Sequence, residues 1–229
     1  MSQKDHTNPP FCSRRQMLKL IGTSAVLGVL VPTALVTPSR AAEAKGRILV
    51  VYFSMPETDN PNNMTRDEDN SVVVINGKVL GNTQYVAQLI QQMTGGDMFR
   101  IEPLKPYPKD HRTLVDQAKE EQKKKERPAL AGKIENLAAY DTIFIGYPNW
   151  WADMPMIVYT FLENYDLSGK TVIPFNTHGG SGFSNTISTI GTLQPKANVL
   201  RNGFTVSRSS VDRAEPDVAQ WLTQLGYNK

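Results

Sequence analysis

Short apolar runs alternate with longer amphipathic stretches along most of this chain. Five of the runs are predicted to be β-strands buried on both faces of a parallel sheet, at residues 47–54, 98–102, 141–146, 170–177 and 199–206. Segments with the apolar spacing of helices lie between and after them, at residues 83–93, 112–126, 156–164, 185–193 and 212–225. This strict alternation predicts right-handed crossovers, with helices on both faces of one sheet.

Pro174 falls inside the fourth predicted strand. Proline has no backbone N–H and cannot donate to the hydrogen-bond ladder of a sheet, so it is usually confined to edge strands and bulges. We therefore expect a bulge near the end of this strand.

A long segment, residues 55–80, interrupts the alternation after the first strand. Its acidic cluster at 67–69 is followed by neither the glycine nor the terminal glutamate of a calcium loop, which indicates a solvated surface. Residues 71–80 are predicted to form a β-hairpin, with Asn76 and Gly77 as a type I′ turn. The hairpin could cover a ligand site as a lid, or it could dock a partner.

Three aromatic rings, those of Tyr147, Trp150 and Trp151, follow the third predicted strand. Pro148 is expected to end the strand pairing, so that the rings lie just past the carboxyl end of the strand. Ligands of open α/β sheets bind at this end of the strands, and two adjacent tryptophans there predict a flat, conjugated ligand. The alternative is that the tryptophans anchor the loop against a neighbouring helix.

Small polar residues predict an anion site at the start of the first helix. Ser54 ends the first strand, and Gly81, Asn82 and Thr83 follow the long interrupting segment. Free backbone N–H groups and the positive end of the helix dipole would face the same point. Simple helix capping explains Asn and Thr at these positions equally well. The chain has neither a P-loop nor a GxGxxG pattern here, which argues against a nucleoside triphosphate or dinucleotide site.

A glycine-rich loop follows the fourth predicted strand. Residues 177–183 read Thr-His-Gly-Gly-Ser-Gly-Phe, and the glycines let the backbone approach a ligand with its N–H groups turned inward. His178 could be a general acid or a hydrogen-bond donor to the ligand, or it could only cap the loop. No other histidine is placed near it in the sequence, so a metal site is not expected.

Taken in order, these motifs resemble the flavodoxin-like superfamily, and its bacterial Flavodoxin_4 branch in particular. The resemblance covers about residues 46–226 and is carried by the segments at 48–54, 81–83, 94–96, 106–108, 147–151 and 177–182. It implies a three-layer α/β fold, with a five-stranded parallel sheet in the order 2-1-3-4-5 and an inserted β-hairpin. The implied cofactor is FMN, bound at the switch point between the first and third strands.

The same resemblance implies three groups of cofactor-binding residues and assigns no catalytic residue. The phosphate would be held by Ser54, Asn82 and Thr83, with Gly81 in the same loop. Contacts to the face and the N5 side of the flavin ring would come from Pro148, Asn149, Trp150, Trp151 and Ala152. The pyrimidine edge would be lined by Thr177, His178, Gly179, Gly180 and Gly182. The sequence departs from the family pattern because residues 55–80 interrupt a phosphate loop that is continuous in flavodoxins.

The N-terminus predicts export to the periplasm. Residues 13–19 read Ser-Arg-Arg-Gln-Met-Leu-Lys, which is a twin-arginine pattern, and a weakly apolar run follows at 20–36. An uncleaved membrane anchor is the alternative, but the run is short and polar for a membrane span. We expect cleavage after Ala-Glu-Ala at 42–44, giving a signal peptide at 1–44 and a flavodoxin-like domain at 45–229. Ser-Arg-Ala at 39–41 is a second candidate cleavage site. No stable membrane insertion is expected after cleavage.

Removal of the signal would change the charge of the protein. The signal holds five of the 25 lysines and arginines and two of the 22 aspartates and glutamates, so the formal net charge falls from +3 to zero. The basic balance therefore gives no support to nucleic-acid binding. Cys12, the one cysteine, is also removed, which excludes thiol catalysis, disulfides and cysteine-bound clusters from the mature protein.

These features predict an FMN-binding redox protein of the periplasm, and they leave three functions open. The first, and the one we expect, is electron transfer to a redox partner protein. The second is an FMN-dependent reductase of quinones or similar small acceptors, with the inserted segment and the aromatic loop forming the substrate site. The third is a flavin-free binding module. The near-neutral charge of the mature chain disfavours a generic carrier, because long-chain flavodoxins use strong acidity to dock basic partners.

Overall fold

A computed structural model describes residues 46–227 of the 229-residue chain. Its strands are β1 (Arg47–Tyr52), β2 (Val72–Ile75), β3 (Lys78–Gly81), β4 (Asp97–Arg100), β5 (Tyr140–Pro148), β6 (Thr171–His178), β7 (Asn198–Val199) and β8 (Phe204–Ser207). Its helices are α1 (Arg66–Ser71), α2 (Asn82–Thr94), α3 (His111–Lys124), α4 (Met156–Asn164), α5 (Thr186–Leu193) and α6 (Glu215–Gln224), with 3₁₀ helices at Leu137–Ala139 and Arg208–Arg213. The predicted export signal at 1–44 lies outside the described residues. Within residues 46–227, no helix is long and apolar enough to cross a membrane.

Six of the strands form one sheet in the order β4-β1-β5-β6, with β7 and β8 both beside β6. Every pairing in this sheet is parallel. Helices α2 and α6 pack on one face, and helices α3, α4 and α5 pack on the other. The predicted three-layer α/β fold is confirmed.

The core consists of two apolar clusters, one on each face of the sheet, because alternate residues of a strand point to opposite faces. On β5, Phe144 packs with α2 and α6, whereas Ile143 and Ile145 pack with α3, α4 and α5. All three side chains are fully buried, and each contributes about 1.5–3 kcal/mol by leaving water. The unbroken apolar run of β5 therefore reflects a strand that is covered on both faces.

β5 continues two residues beyond the predicted strand at 141–146 and ends at Pro148, so Tyr147 lies within the strand and not past its end. Pro148 is paired with Thr177 of β6, and the N–H of Asn149 donates to the Thr177 carbonyl at 2.8 Å. On the other side of β5, the last hydrogen bond to the β1 chain runs from the N–H of Phe53 to the carbonyl of Gly146. Successive residues of a strand turn their backbone polar groups to opposite sides, so the position of the missing N–H of Pro148 faces the side where β1 has ended. The proline therefore removes no hydrogen bond from the sheet.

The predicted fifth strand at 199–206 is also wrong as one continuous strand, because the edge is divided into β7 and β8. The N–H of Leu200 donates to the Val172 carbonyl at 2.9 Å, so every second residue of β6, including Pro174, faces this edge. Proline has no N–H to offer there, and the edge is interrupted opposite it. The expected bulge in β6 is not found, since its register with β5 is continuous.

The predicted hairpin forms within the inserted segment, residues 55–80. Asn76 and Gly77 have positive φ angles of 52° and 77°, as a type I′ turn requires. The hairpin is not a lid over a ligand site. Val73 and Leu80 are buried in the core cluster on the α2 and α6 face, and β2 packs against the 3₁₀ helix Arg208–Arg213.

The acidic cluster at 67–69 belongs to the short helix α1, and Asp67 and Asp69 are exposed, as expected for a solvated surface. Thr65 caps this helix: its hydroxyl accepts from the N–H of Glu68 at 3.3 Å, and the Glu68 carboxylate accepts from the N–H of Thr65 at 2.8 Å. This reciprocal pair is a capping box, which the sequence shows as Thr-x-x-Glu. Acidic residues in the first turn also suit the helix dipole.

Candidate functional site

A cleft of about 230 Å³ opens at the carboxyl ends of β1, β5 and β6, where ligands of open α/β sheets bind. Ten of the fourteen residues predicted for the site line it: Ser54, Asn82, Thr83, Pro148, Asn149, Trp150, Trp151, Thr177, His178 and Gly179. The structure therefore brings the three predicted loops together around one space.

The inserted segment leaves the sheet and returns at neighbouring points. A Cβ atom placed on Gly81 would lie 2.2 Å from the Ser54 hydroxyl oxygen, so Gly81 leaves room for the Ser54 side chain where the two ends of the segment meet. Residues 55–80 thus lengthen the predicted phosphate loop without separating its two halves in space. Gly81 immediately precedes α2, whose first backbone N–H groups have no acceptor within the helix.

The hydroxyl groups of Thr83 and Thr177 join two of the loops. Their oxygen atoms are 2.8 Å apart, and either hydroxyl can be the donor. Both residues are buried. Because a pair of hydroxyls uses one proton for its own hydrogen bond, the second proton stays available for an acceptor in the cleft.

Asn82 carries a buried acceptor that has no partner. Its side-chain nitrogen donates to the Asn70 carbonyl at 2.9 Å, which fixes the orientation of the amide. Its Oδ1 is buried and accepts no hydrogen bond from any described residue. An unpaired buried acceptor costs about 1–3 kcal/mol. Since Asn82 lines the cleft, this atom suits a ligand that donates from a hydroxyl or an amine.

Trp150 anchors the aromatic loop to the body of the protein. Its ring meets Phe53 and Tyr107 edge to face, at centroid distances of 5.5 and 5.7 Å. It packs against the core cluster on the α3 face. Trp150 therefore anchors the loop, as in the alternative interpretation of the two tryptophans.

Trp151 is the exposed ring of the same loop, with 45% of its surface accessible. Its indole N–H donates to the Val115 carbonyl of α3 at 3.2 Å. The Lys119 ammonium lies 4.6 Å from the ring centroid, within the range of a cation–π contact. The ring is therefore oriented by α3 and still accessible at the cleft.

The turn that presents Trp151 is strained. Trp151 and Ala152 have positive φ angles of 53° and 59°, and a non-glycine residue in this region costs about 1–2 kcal/mol. The backbones of Trp150 and Asp153 hydrogen-bond to each other across the turn. Strain of this kind persists only where the surrounding structure holds it in place, and it is concentrated at ligand sites.

His178 is set up as a neutral hydrogen-bond donor. Its Nδ1 accepts from the N–H of Gly180 at 2.9 Å, which places the proton of the neutral ring on Nε2. Partial burial lowers the pKa of His178 and so favours the neutral form further. Of the roles that the sequence left open, the geometry favours donation to a ligand over general-acid catalysis.

Among the described residues, Arg208 is the one lysine or arginine that lines the cleft, and no motif in the sequence pointed to it. Its guanidinium lies against the backbone of Gly179, where an added Cβ atom would be only 3.3 Å from Cζ of Arg208. Within residues 46–227, the guanidinium has no carboxylate partner. It is therefore available to an anionic ligand.

Four predicted residues, Gly81, Ala152, Gly180 and Gly182, shape the loops but do not line the cleft. Gly182 has a φ of 55°, and its carbonyl accepts from the side-chain amides of Asn149 and Asn176 at 2.8 and 2.7 Å. Asn149 therefore ties the aromatic loop to the glycine-rich loop. The glycines turn the chain, while their neighbours carry the polar groups.

One face of α3 forms a wall of the cleft that we did not predict. It presents His111, Leu114, Val115 and Ala118, which have the i, i+3, i+4, i+7 spacing of one helix face. That spacing is the only sequence signal, and an ordinary core-facing helix has the same pattern. The inserted segment adds further lining residues that no sequence pattern predicted: Met55, Glu57, Asp67, Asn70 and Ser71.

The family model for flavodoxin, Flavodoxin_4, matches residues 70–225. This is more than half of the chain and includes the aromatic and glycine-rich loops. It begins after Ser54, so the first part of the predicted phosphate loop is outside the match. A search of curated proteins gives no significant match.

Solved structures of similar fold include two from Bacteroides. A candidate flavoprotein of Bacteroides uniformis ATCC 8492 is 32% identical with a TM-score of 0.57, covering 78% of this chain and 99% of that one. A candidate flavoprotein of Bacteroides eggerthii DSM 20697 is 30% identical with a TM-score of 0.56, covering 80% and 99%. A flavoprotein of Lactobacillus acidophilus NCFM in complex with FMN shares the fold at 20% identity, with a TM-score of 0.50 and coverage of 73% and 97%. By family model, identity and fold, this chain belongs to the flavodoxin family.

Proposed function

We propose that this protein is an exported redox protein that binds FMN in the cleft at the carboxyl ends of β1, β5 and β6. The observation that carries the proposal is the convergence of three loops on one space that contains a buried, unpaired acceptor, Oδ1 of Asn82. A buried acceptor of this kind indicates a bound ligand that donates a hydrogen bond, and FMN carries such donors in its ribityl hydroxyls. Bound FMN would supply reversible electron transfer.

The phosphate end of FMN fits the start of α2. The free N–H groups of the first turn, the positive end of the helix dipole and the Ser54 hydroxyl meet there. The Thr83–Thr177 pair can add one donated proton. Arg208 supplies the cation that a dianionic phosphate attracts.

The sugar and ring parts of FMN fit the remaining groups. Oδ1 of Asn82 has no hydrogen-bond donor among the described residues, and a ribityl hydroxyl would supply one. Trp151 offers an aromatic face for stacking, and Nε2 of His178 is a donor suited to a carbonyl oxygen of the pyrimidine ring. The FMN held by the Lactobacillus flavoprotein supports the same choice of cofactor in a protein of the same fold.

The absorption spectrum tests the cofactor. Protein expressed with its own signal and purified from the periplasm should carry a flavin with the two visible absorption bands of the oxidised form, and acid extraction should release FMN. Anaerobic titration would then give the number of electrons accepted per protein. Protein that is colourless, and that binds neither FMN nor riboflavin when they are added, would contradict the proposal.

Export by the twin-arginine route agrees with a flavin cargo. This route carries proteins that are already folded, so the protein would take up FMN in the cytoplasm and cross the membrane with it. The signal-bearing residues are 13–19, and the periplasmic location is the part of the proposal that rests on sequence alone.

Two redox functions fit such a protein. A carrier gives electrons to a partner protein and needs only an exposed flavin edge. A reductase also needs a place for a small acceptor beside the flavin. The wall formed by α3 and the inserted segment favours the second function, because it encloses space and titratable groups that a carrier does not use.

A further inference from the structure

Glu57 and His111 form a hydrogen-bonded pair on the wall of the cleft. Nδ1 of His111 lies 2.9 and 3.1 Å from the two carboxylate oxygens of Glu57. Glu57 is 8% exposed, whereas 42% of the His111 side chain is accessible. Both residues line the cleft, so a buried carboxylate supports an imidazole that is open to the site.

The inserted segment holds Glu57 in place. The N–H of Glu57 donates to the hydroxyl of Ser71 at 2.9 Å, and that hydroxyl donates to the Glu68 carbonyl at 2.8 Å. The backbone of Glu57 is thus fixed by the last turn of α1. A carboxylate on Nδ1 of a histidine fixes the orientation of the ring and favours a proton on the side that faces it.

Nε2, the other ring nitrogen of His111, is open to a ligand. The nearest acidic atom, Oδ1 of Asp67, is 3.9 Å away, which is too far for a hydrogen bond. Protonated His111 therefore has one N–H occupied by Glu57 and a second N–H with no acceptor in the part of the chain that the structure describes.

The pair lies beside the ring that we expect to contact the flavin. The indole N–H of Trp151 is bonded to the Val115 carbonyl, and Val115 is one helical turn after His111 on the same face of α3. Leu114 lies between them and is apolar. A small molecule stacked near Trp151 would therefore have an apolar floor on α3 and the His111 N–H at one end.

We propose that this wall is a substrate site for a quinone, and that His111 donates a proton to the quinone oxygen. This inference rests on the proposed FMN-binding function. The quinone takes two electrons and one proton from reduced FMN and its second proton from the imidazolium, through Nε2, and leaves as the hydroquinone. Glu57 positions the His111 ring through its contact with Nδ1, and the ring regains a proton from solvent through its exposed side.

Two acceptors with different proton needs test the proposal. Reduction of p-benzoquinone consumes protons, whereas reduction of ferricyanide consumes none. Protein reduced with dithionite under anaerobic conditions is mixed in a stopped-flow instrument with each acceptor, and the return of oxidised flavin absorbance is followed. The variants are His111→Gln and Glu57→Gln, and the matched control is Arg112→Gln, which changes an exposed neighbour on α3 outside the cleft.

We expect His111→Gln to slow oxidation by p-benzoquinone by at least about tenfold, since a positioned general acid contributes about 10²–10⁴-fold. Oxidation by ferricyanide should change by less than about twofold, and Arg112→Gln should leave both rates near those of the wild type. Equal slowing with both acceptors, or no slowing with the quinone, would overturn the proposal. FMN content and Kd are measured first for every variant, so a protein that binds no FMN contradicts the proposed function itself and is recognised as such.

The two acceptors also test the positioning role of Glu57. The acidic groups that face His111 are Glu57, Asp67 and Asp110, and only Glu57 is within hydrogen-bonding distance of the ring. Glu57→Gln should slow oxidation by p-benzoquinone and leave both oxidation by ferricyanide and the Kd for FMN near those of the wild type, because a neutral amide holds the His111 ring less strongly than a carboxylate does. Equal slowing with both acceptors, or no slowing with the quinone, would show that Glu57 only supports the fold, and the positioning role would be abandoned.

Discussion

The hydroxyl oxygens of Thr83 and Thr177 lie 2.8 Å apart, although the two residues are 94 positions apart in the chain. Thr83 is in the first turn of α2, and Thr177 is near the end of β6. Their contact brings the predicted phosphate site and the glycine-rich loop into one hydrogen-bonded unit. A single ligand can therefore contact both loops. A substitution in one loop should also change how the other loop binds the ligand.

The first prediction concerns the selectivity of this unit for phosphate. Thr83→Val should weaken FMN binding by about 1.5–3 kcal/mol, the contribution of a hydrogen bond to a charged group, and should leave riboflavin binding nearly unchanged. Fluorescence titration with both flavins measures the difference. The control is Thr94→Val, which makes the same change at the far end of α2. Equal losses for FMN and riboflavin would mean that the phosphate is bound elsewhere.

The second prediction tests the cation of the cleft. Arg208→Gln should raise the Kd for FMN about tenfold or more, because a charge-assisted hydrogen bond is lost, and should not change the Kd for riboflavin. The effect should shrink as salt is added if part of it is long-range attraction. Arg213→Gln on the same 3₁₀ helix is the matched control, since Arg213 does not line the cleft. If the two variants behave alike, Arg208 has no special contact with the phosphate.

The third prediction separates the two tryptophans. Trp151→Ala should weaken FMN and riboflavin equally, by about 1–3 kcal/mol for a stacked ring, with little effect on the free energy of unfolding. Trp150→Ala should lower the free energy of unfolding by about 3 kcal/mol, because it empties a packed aromatic cluster. Flavin titration and urea denaturation of both variants give the comparison. Unchanged flavin affinity in Trp151→Ala would show that the exposed ring does not stack on the flavin.

The fourth prediction concerns stability in acid. Burial raises the pKa of Glu57, although the hydrogen bond from His111 opposes the shift. The folded protein therefore binds this proton more tightly than the unfolded chain, so the contribution of Glu57 to stability is greatest at low pH and is lost as the pH rises through its folded pKa. Denaturation of the wild type and of Glu57→Gln between about pH 4 and 7 should show that their difference in unfolding free energy changes across this window, in favour of the variant at higher pH. A difference that is independent of pH would contradict the shift.

The fifth prediction concerns export. Changing Arg14 and Arg15 together to lysine should leave the precursor in the cytoplasm, because the transporter recognises the paired guanidinium groups and lysine does not replace them. Cell fractionation and immunoblotting measure the distribution. Arg40→Lys makes the same chemical change in the signal outside residues 13–19, and it is the control that keeps the pair intact. A normal periplasmic yield from the double-lysine variant would remove the basis for the proposed location.

Most of the sheet could be predicted from the sequence because its signal is local. The apolar run of β5 is continuous because both of its faces are covered, and that requirement shows in the residues themselves. The two prolines were harder. Pro148 removes no hydrogen bond from the sheet, whereas Pro174 lies opposite a break in the edge strand. The difference depends on which neighbouring strand each missing N–H faces. That is a property of strand register, which no local pattern encodes.

The sequence predicted the site residues that lie in loops at the strand ends. It did not predict the site residues whose side chains reach the cleft from other parts of the fold. Loops at the carboxyl ends of neighbouring parallel strands must meet, which is why Asn82, Trp151 and His178 line one cleft. Arg208 and Glu57 reach the same cleft from the C-terminal part of the chain and from the inserted segment. Their sequence surroundings are those of ordinary surface residues, so only the tertiary structure reveals them.

The division of the sheet edge between β7 and β8 affects how copies of this protein meet at high concentration. An unbroken edge strand is a template on which another molecule can add a strand, and natural proteins avoid aggregation by shortening or interrupting such edges. Here one piece has two residues and the other has four. At the opposite edge, β4 also has four residues, and Asp97 at its start is bound by Arg47 at 2.7 Å. Short, interrupted and charged edges should therefore keep the folded protein from polymerising through its sheet.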